Sequence, residues 1–406
     1  MTDTKIRTIN EEDLPFLDVE TPEFADDPHA QIRAVREQGP LGRSRRGIEV
    51  FDHALAVEVL GDGRLETLGV EHFAKMDAPE LMLSFVQDGL LLNMEKAHHD
   101  KIRRVLLRAF NIRRVDAERQ VMRQSAEALL ADVQDSGRFD FTEKFTSPYP
   151  ARVLCLLLGI PVEDIHLFHQ AAVDLHLMGA VPLAPNFPTI ERSLLTTRDY
   201  VTDLLEARRR DPQDDFISAL LEAQETEGLL SDDEIIWNIV NLLFAGQDTT
   251  RYQLASAVRA IVEADGWDTL ADNLDLLPRA LEESFRYYPV IQFLVRKPHV
   301  DVEVGGFTFP AGRRVIVNTM AASRDPKVFS DPDRLDITRD PLYRLPFGWG
   351  FHYCLGHALA RSEMIEALTV LVTRLTNVRL VDGLELAPTI AMLGGPESMP
   401  IEFSLR

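Results

Sequence analysis

Cys354 lies in a glycine-rich run, Phe347-Gly348-Trp349-Gly350-Phe351-His352-Tyr353-Cys354-Leu355-Gly356, that leads straight into a helical pattern. A sulfur at a helix N-terminus feels the positive end of the helix dipole and nearby backbone N–H groups, and both favour thiolate over thiol. Gly348, Gly350 and Gly356 let the backbone take dihedrals closed to other residues and approach a flat object closely. A thiolate held under a flat face is what a haem iron needs as its proximal ligand. Without this context, a lone cysteine is more often a buried structural thiol, and a catalytic nucleophile is a further alternative.

A second polar constellation interrupts an apolar segment. Leu242-Leu243-Phe244 is followed by Ala245-Gly246-Gln247-Asp248-Thr249-Thr250. Upstream, Ser231-Asp232-Asp233-Glu234 has the form of a capping box. From there a helical pattern runs to about Asp265, where Gly266 can end it. At 1.5 Å per residue such a helix is roughly 50 Å long and crosses the whole domain. Glycine costs about 1 kcal/mol mid-helix, and threonine hydroxyls bond back to preceding carbonyls and bend the chain. The expectation is a helix that widens at this point and leaves room for a small molecule and water. The plain alternative is a kinked core helix with a solvated polar turn.

Two charge pairs complete the set. Glu283 and Arg286 stand three apart on one helix face just before Pro289, and His99 and Arg103 stand four apart on another. Alone, each is an ordinary surface pair. Residues 101–114 carry six basic side chains and no acid, a local reversal in an acidic chain.

These groups need a scaffold. With 406 residues, 45% of them hydrophobic, the chain can bury a large core. No low-complexity linker divides it, so one domain spanning 1–406 is expected. The 43 basic and 65 acidic residues give a net charge of −22, which argues against nucleic acid as the main partner. Only Cys155 and Cys354 occur, far apart, which excludes a disulfide framework or a structural zinc site and suits a reducing cytosol. There is no signal-peptide pattern at the N-terminus and no run of roughly 18–20 apolar residues able to span a bilayer. A soluble, cytoplasmic protein without a membrane partner is expected.

The pattern is mainly α with a small β region. Segments 117–133, 151–158, 190–209, 215–224 and 276–288 have helical spacing. Gly47–Phe51 alternates like a strand, and 300–304 with 307–309 reads as a hairpin about Gly305-Gly306, followed by a third strand at 315–317. Residues 179–188, with three prolines, read as a loop between helices.

The Cys354 run resembles the haem-binding loop of the cytochrome P450 family, Phe-Gly-x-Gly-x-[His/Arg]-x-Cys-x-Gly, with every fixed position filled. Ala245–Thr250 resembles that family's oxygen-activation motif, Glu283-x-x-Arg286 its buried Glu-x-x-Arg pair, and 95–104 its Pro-Pro-Glu-His-x-x-x-Arg segment, though Lys96, Ala97 and His98 replace Pro-Pro-Glu. On these motifs the chain is identified as a soluble bacterial-type, ferredoxin-dependent member. The resemblance implies haem b (iron protoporphyrin IX) held between the long central helix and the Cys354 loop, with Phe347, Gly348, Gly356, Ala245 and Gly246 against it. His99, Arg103, Arg296 and His352 would meet the propionates. Thr249 would hydrogen-bond bound dioxygen while Asp248 gates protons towards it; a hydroxyl–carboxylate relay in a dry pocket can deliver two protons to one oxygen in order. Arg334 is expected to complete the Glu283–Arg286 network beneath the loop.

The implied reaction inserts one oxygen atom from O2 into a hydrophobic small molecule. No dinucleotide fingerprint is present, so no bound flavin or nicotinamide is expected; electrons would come from an iron–sulfur ferredoxin with its reductase, drawn to the basic 101–114 segment. By the same resemblance the pocket is walled by Phe85, Leu177, Asn241, Phe244, Val290, Ile291, Phe293, Met392 and Leu393. Their apolar character suggests a terpenoid, aromatic or steroid-like substrate, although side chains at these spacings are equally consistent with plain core. Rival readings are a peroxide-driven peroxygenase, which the intact Asp248-Thr249 pair disfavours, and a haem-binding sensor or carrier without turnover.

Overall fold

A computed structural model describes residues 6–109, 112–180, 182–341, 345–387 and 391–406. Residues 110 and 111 of the basic segment, and the side chain of Arg114, lie outside that description. Helices dominate, with small sheets gathered around them. Those that position the site are α1 (Lys96–Ala109), α2 (Pro148–Leu158), α3 (Ile165–Asp174), α4 (Asp232–Glu263), α5 (Leu277–Tyr287) and α6 (His357–Arg374).

Helix α4 has 32 residues, about 48 Å at the standard rise. Its capping box forms in both directions: Ser231 Oγ accepts from the Glu234 N–H at 3.1 Å, and the Glu234 carboxylate accepts from the Ser231 N–H at 2.7 Å. The expected widening does not occur; the helix is continuous through 245–250. Thr249 Oγ1 donates to the Ala245 carbonyl at 2.7 Å and Gln247 Nε2 to the Leu243 carbonyl at 2.6 Å. The polar side chains thus bond back onto the preceding turn instead of breaking it. On either side of this turn Trp237, Ile239, Val240, Leu243, Leu254, Val258 and Ile261 are buried, each contributing about 1.5–3 kcal/mol. The helix stops slightly early, at Glu263, and Asp265 rather than Gly266 takes the left-handed conformation, with φ 51°.

Helix α1 is tied to this same end. His98 Nε2 lies 2.8 Å from Glu234 Oε1, and the Lys101 ammonium also reaches that oxygen. His98, one of the departures from the family's segment, therefore braces the capping box of α4.

The main sheet is built from β1 (Leu41–Ser44), β2 (Gly47–Val50), β3 (Leu65–Glu66), β4 (Phe293–Pro298) and a later strand. The expected hairpin forms as β5 (Val302–Val304) with β6 (Phe307–Phe309). Strand β7 (Val315–Asn318) does not extend that hairpin: it lies between β2, parallel, and β4, antiparallel, in the order β1-β2-β7-β4-β3. Its residues are all buried, as a central strand requires. The 179–188 region holds short turns at Leu175–Gly179 and Ala184–Asn186. The next helix begins at Phe187, earlier than the pattern indicates, because Pro188 is tolerated in a first turn.

Candidate active site

The Cys354 loop is set by its backbone. The Gly348 N–H donates to Leu345 O and the Cys354 N–H to Phe347 O, both at 2.9 Å. Gly348 and Gly350 have φ of 75° and 69°, a region L side chains avoid. A Cβ at Gly350 would also meet the Leu60 carbonyl at 2.8 Å. Gly356 serves differently: its φ is ordinary, and a Cβ there would meet nothing within 4 Å. Behind the loop the Phe347 ring sits 5.0 Å from Phe285 of α5 and 4.1 Å from the Arg361 guanidinium of α6. Arg361 in turn pairs with Glu282 at 2.5 Å.

Burial pushes the Cys354 thiol up, while the Gly356 N–H, Arg103 and Arg361 pull it back. A bound metal ion deprotonates a coordinating thiol outright.

Four basic groups converge beside this loop. Arg296 is 2% exposed, and the only hydrogen bond of its side chain among the described residues is to the neighbouring Val295 carbonyl at 3.0 Å. Burial alone lowers its pKa to about 10. His99 is 1% exposed and its Nδ1 has no hydrogen-bond partner among the described residues; its ring lies 4.1 Å from Phe351 and 4.9 Å from His352. Burial and then Arg103 push His99 down to about 4, and burial with Arg296, His99, Arg103 and Lys96 takes His352 to about 3. A buried guanidinium with no acid to pair it is costly unless an anion joins it. Two carboxylates of a flat group would supply that charge, so the residues present fit haem.

Facing away from the core on α4, Ala245 is exposed and Thr249 partly so, within a helix whose neighbouring turns are buried. Gly246, beside them, packs closely against a second helix. A Cβ on it would meet Leu154 of α2 at 2.9 Å, so this glycine makes room for helix packing. Asp248 is 2% exposed, and neither of its side-chain oxygens has a hydrogen bond among the described residues. Arg251 Nε lies 3.2 Å from Oδ1 and His176 Nδ1 3.7 Å from Oδ2. Burial raises its pKa, and the Arg251 guanidinium opposes that rise.

Glu283 and Arg286 form a buried bidentate pair with two bonds of 2.7 Å. Arg334 is not its third member. Its guanidinium is 68% exposed and points to Asp336 at 3.6 Å; only its backbone carbonyl takes part, accepting from Arg286 at 3.1 Å. Asp331, with φ 48°, starts a turn closed by the Arg334 N–H onto the Asp331 carbonyl. The cation that reaches Glu283 is Arg339, at 3.2 Å.

Among the expected pocket positions, the segment after α5 and the last turn meet: Ile291 bridges Leu393, the Gln292 N–H donates to Met392 O and the Gly394 N–H to Val290 O. Leu177, Phe244, Ile291, Met392 and Leu393 keep partial exposure, while Asn241, Val290 and Phe293 are mostly buried. Phe293 lies under the Arg46 guanidinium at 4.3 Å. Phe85 does not belong with the lining: it has no accessible surface and packs on Trp237 at 5.6 Å, as core.

Two groups escaped sequence reading. Glu363, fully buried on α6, has its pKa raised to about 8 by burial and accepts from Thr250 Oγ1 at 2.9 Å. An acid flanked on its helix by Ala360, Met364 and Ala367 was the available signal. Arg339 carried no signal, since three arginines follow Arg286 between 324 and 339.

The fold and this loop define a haem-thiolate protein. The cytochrome P450 family model matches residues 66–264 and 253–378. Luteothin monooxygenase of Streptomyces thioluteus is 32% identical over 96% of this chain and 96% of its own length. Mycinamicin IV hydroxylase/epoxidase of Micromonospora griseorubida is 34% identical over 90% of this chain and 91% of its own. The crystal structure of CalO2 superposes with a TM-score of 0.87 at 30% identity, covering 95% of this chain and 98% of that one. The chain belongs to the cytochrome P450 family. It is a monooxygenase whose cofactor is haem b, acting with O2, a small-molecule substrate and a redox partner. Among the described residues, no helix is long and apolar enough to cross a membrane.

Proposed function

We propose that this enzyme inserts one oxygen atom from O2 into a compact hydrophobic molecule of terpenoid, aromatic or steroid-like character, with a ferredoxin as its electron donor. When bound, the haem supplies the oxygen activation. Cys354 would hold the iron, and Arg103, Arg296, His99 and His352 would hold the propionates. The observation that carries this reading is Arg296, a buried cation beside the Cys354 loop with no acid paired to it among the described residues.

Thr249 spends its hydroxyl proton on the Ala245 carbonyl, which leaves its oxygen lone pairs to receive a proton donor. Asp248, with unbonded oxygens and a raised pKa, is suited to pick up a proton and release it towards Thr249. Leu177, Phe244, Ile291, Met392 and Leu393 would exclude water and orient an apolar substrate. Basic residues of α1, among them Arg104 and Arg108, offer an acidic ferredoxin a surface.

The test has two parts. Ferrous protein with carbon monoxide should show the red-shifted absorption of thiolate-ligated haem, lost in Cys354→His. Reconstitution with ferredoxin and reductase should then oxidise compounds chosen from a library by their low-to-high-spin shift. Turnover with hydrogen peroxide but with no ferredoxin would overturn the electron-donor assignment.

A further inference from the structure

Asp248 must be reloaded with a proton each time it gives one up, and the groups around it differ in their ability to do so. On its own helix Arg251 lies 3.2 Å away, but a guanidinium does not release protons at working pH. From α3, His169 Nδ1 is held 2.7 Å from Gln247 Oε1, and the Gln247 amide donates in turn to the Leu243 carbonyl. That route ends in an amide that cannot relay. Glu397 stands behind Arg251, 3.6 Å from its guanidinium, and accepts the Tyr252 hydroxyl.

His176, from the turn Leu175–Gly179, is different. Its Nδ1 lies 3.7 Å from Asp248 Oδ2, while its side chain is 39% exposed. Imidazole is also the side chain whose charge changes between about pH 5 and 8.

We propose that His176 is the solvent-side proton donor to Asp248. The inference rests on Asp248 serving as the proton group described above. At rest, Nδ1 is 2.5 Å from the Val173 carbonyl. Because both Asp248 oxygens are unbonded, rotating the carboxylate towards the ring breaks no hydrogen bond of its own. The Nδ1–H bond of the imidazolium breaks as an O–H bond forms on Asp248 Oδ2. This leaves neutral imidazole protonated on Nε2 and gives up the Nδ1–H bond to the Val173 carbonyl; rotation of the partly exposed ring then lets a solvent proton return to Nδ1, which restores both the cation and that bond.

The test compares His176→Gln, which keeps a polar side chain but cannot titrate, with His176→Phe. Wild-type coupling of electrons to product should fall as pH rises from about 6 to 8, as imidazolium is lost. Both variants should retain haem and the substrate-induced spin shift. They should lose roughly a hundredfold in coupled turnover, the low end for a positioned proton donor, show a larger solvent deuterium isotope effect, and have no pH dependence in this window. A second readout needs no turnover: the infrared C=O band of protonated Asp248, identified by its loss in Asp248→Asn, should persist to higher pH in His176→Gln because a neighbouring cation is gone. Glu397→Gln should leave the pH profile as in wild type. Wild-type coupling and pH profile in His176→Gln, or an unmoved infrared midpoint, would overturn the assignment. Normal coupling in Asp248→Asn would instead sink the reading of Asp248 itself.

Discussion

Arg339 Nε lies 3.2 Å from the Glu283 carboxylate, which Arg286 already grips through two hydrogen bonds of 2.7 Å. Both arginines also hold backbone carbonyls of the 330–334 turn: Arg286 those of Pro332 and Arg334, Arg339 those of Ser330, Asp331 and Arg334. Arg339→Ala should therefore cost about 2–3 kcal/mol, less than stripping a buried charge of all partners. Arg334→Ala should cost under about 0.5 kcal/mol. Thermal unfolding of the two variants side by side decides which arginine belongs to the network.

Thr249→Ala should retain haem and substrate binding while diverting electrons to peroxide. The helix should survive, since alanine is the better helix former and the lost bond is one hydroxyl to the Ala245 carbonyl. Peroxide formed per electron consumed is the measurement, and unchanged coupling would count against the hydroxyl–carboxylate relay.

Arg296→Met separates two effects of one charge. In haem-free protein the buried guanidinium has no acid to pair it, so an apolar replacement of similar length should raise the unfolding temperature. Haem affinity should fall at least about tenfold, equivalent to about 1.4 kcal/mol. Calorimetry on apoprotein and haem transfer to an acceptor protein measure the two halves independently.

Glu363 makes stability depend on pH in a definite direction. Its folded pKa of about 8 lies above the usual carboxylate value near 4.5, so the folded state binds the extra proton between these values. Stability should then decline as pH rises from about 4.5 to 8 and level off beyond. Glu363→Gln should remove that decline, leaving the variant the more stable of the two at pH 8 and little changed at pH 5. Unfolding temperatures across this range test the sign.

What the sequence reveals here follows from how local each constraint is. The Phe347–Gly356 run was legible because its glycines, cysteine and helix start are contiguous, and the capping box at Ser231 because it spans four residues. The convergence of His99, Arg296 and His352 was legible only through a resemblance, since they meet across three separate segments. Arg334 misled because side-chain direction there depends on a left-handed residue three positions earlier, Asp331. The packing of Gly246 on Leu154 was not legible, because the two lie on different helices. Phe85 looked like lining because apolar lining and apolar core share a composition, and only Trp237 distinguishes them.

The aromatic ring at 347, clamped between Phe285 and Arg361, gives the sulfur a foundation in two helices as well as in the loop that bears it. Damage at Phe285 or Glu282, neither of which needs to touch porphyrin, should therefore announce itself as altered colour and a displaced reduction potential before any fall in helical content.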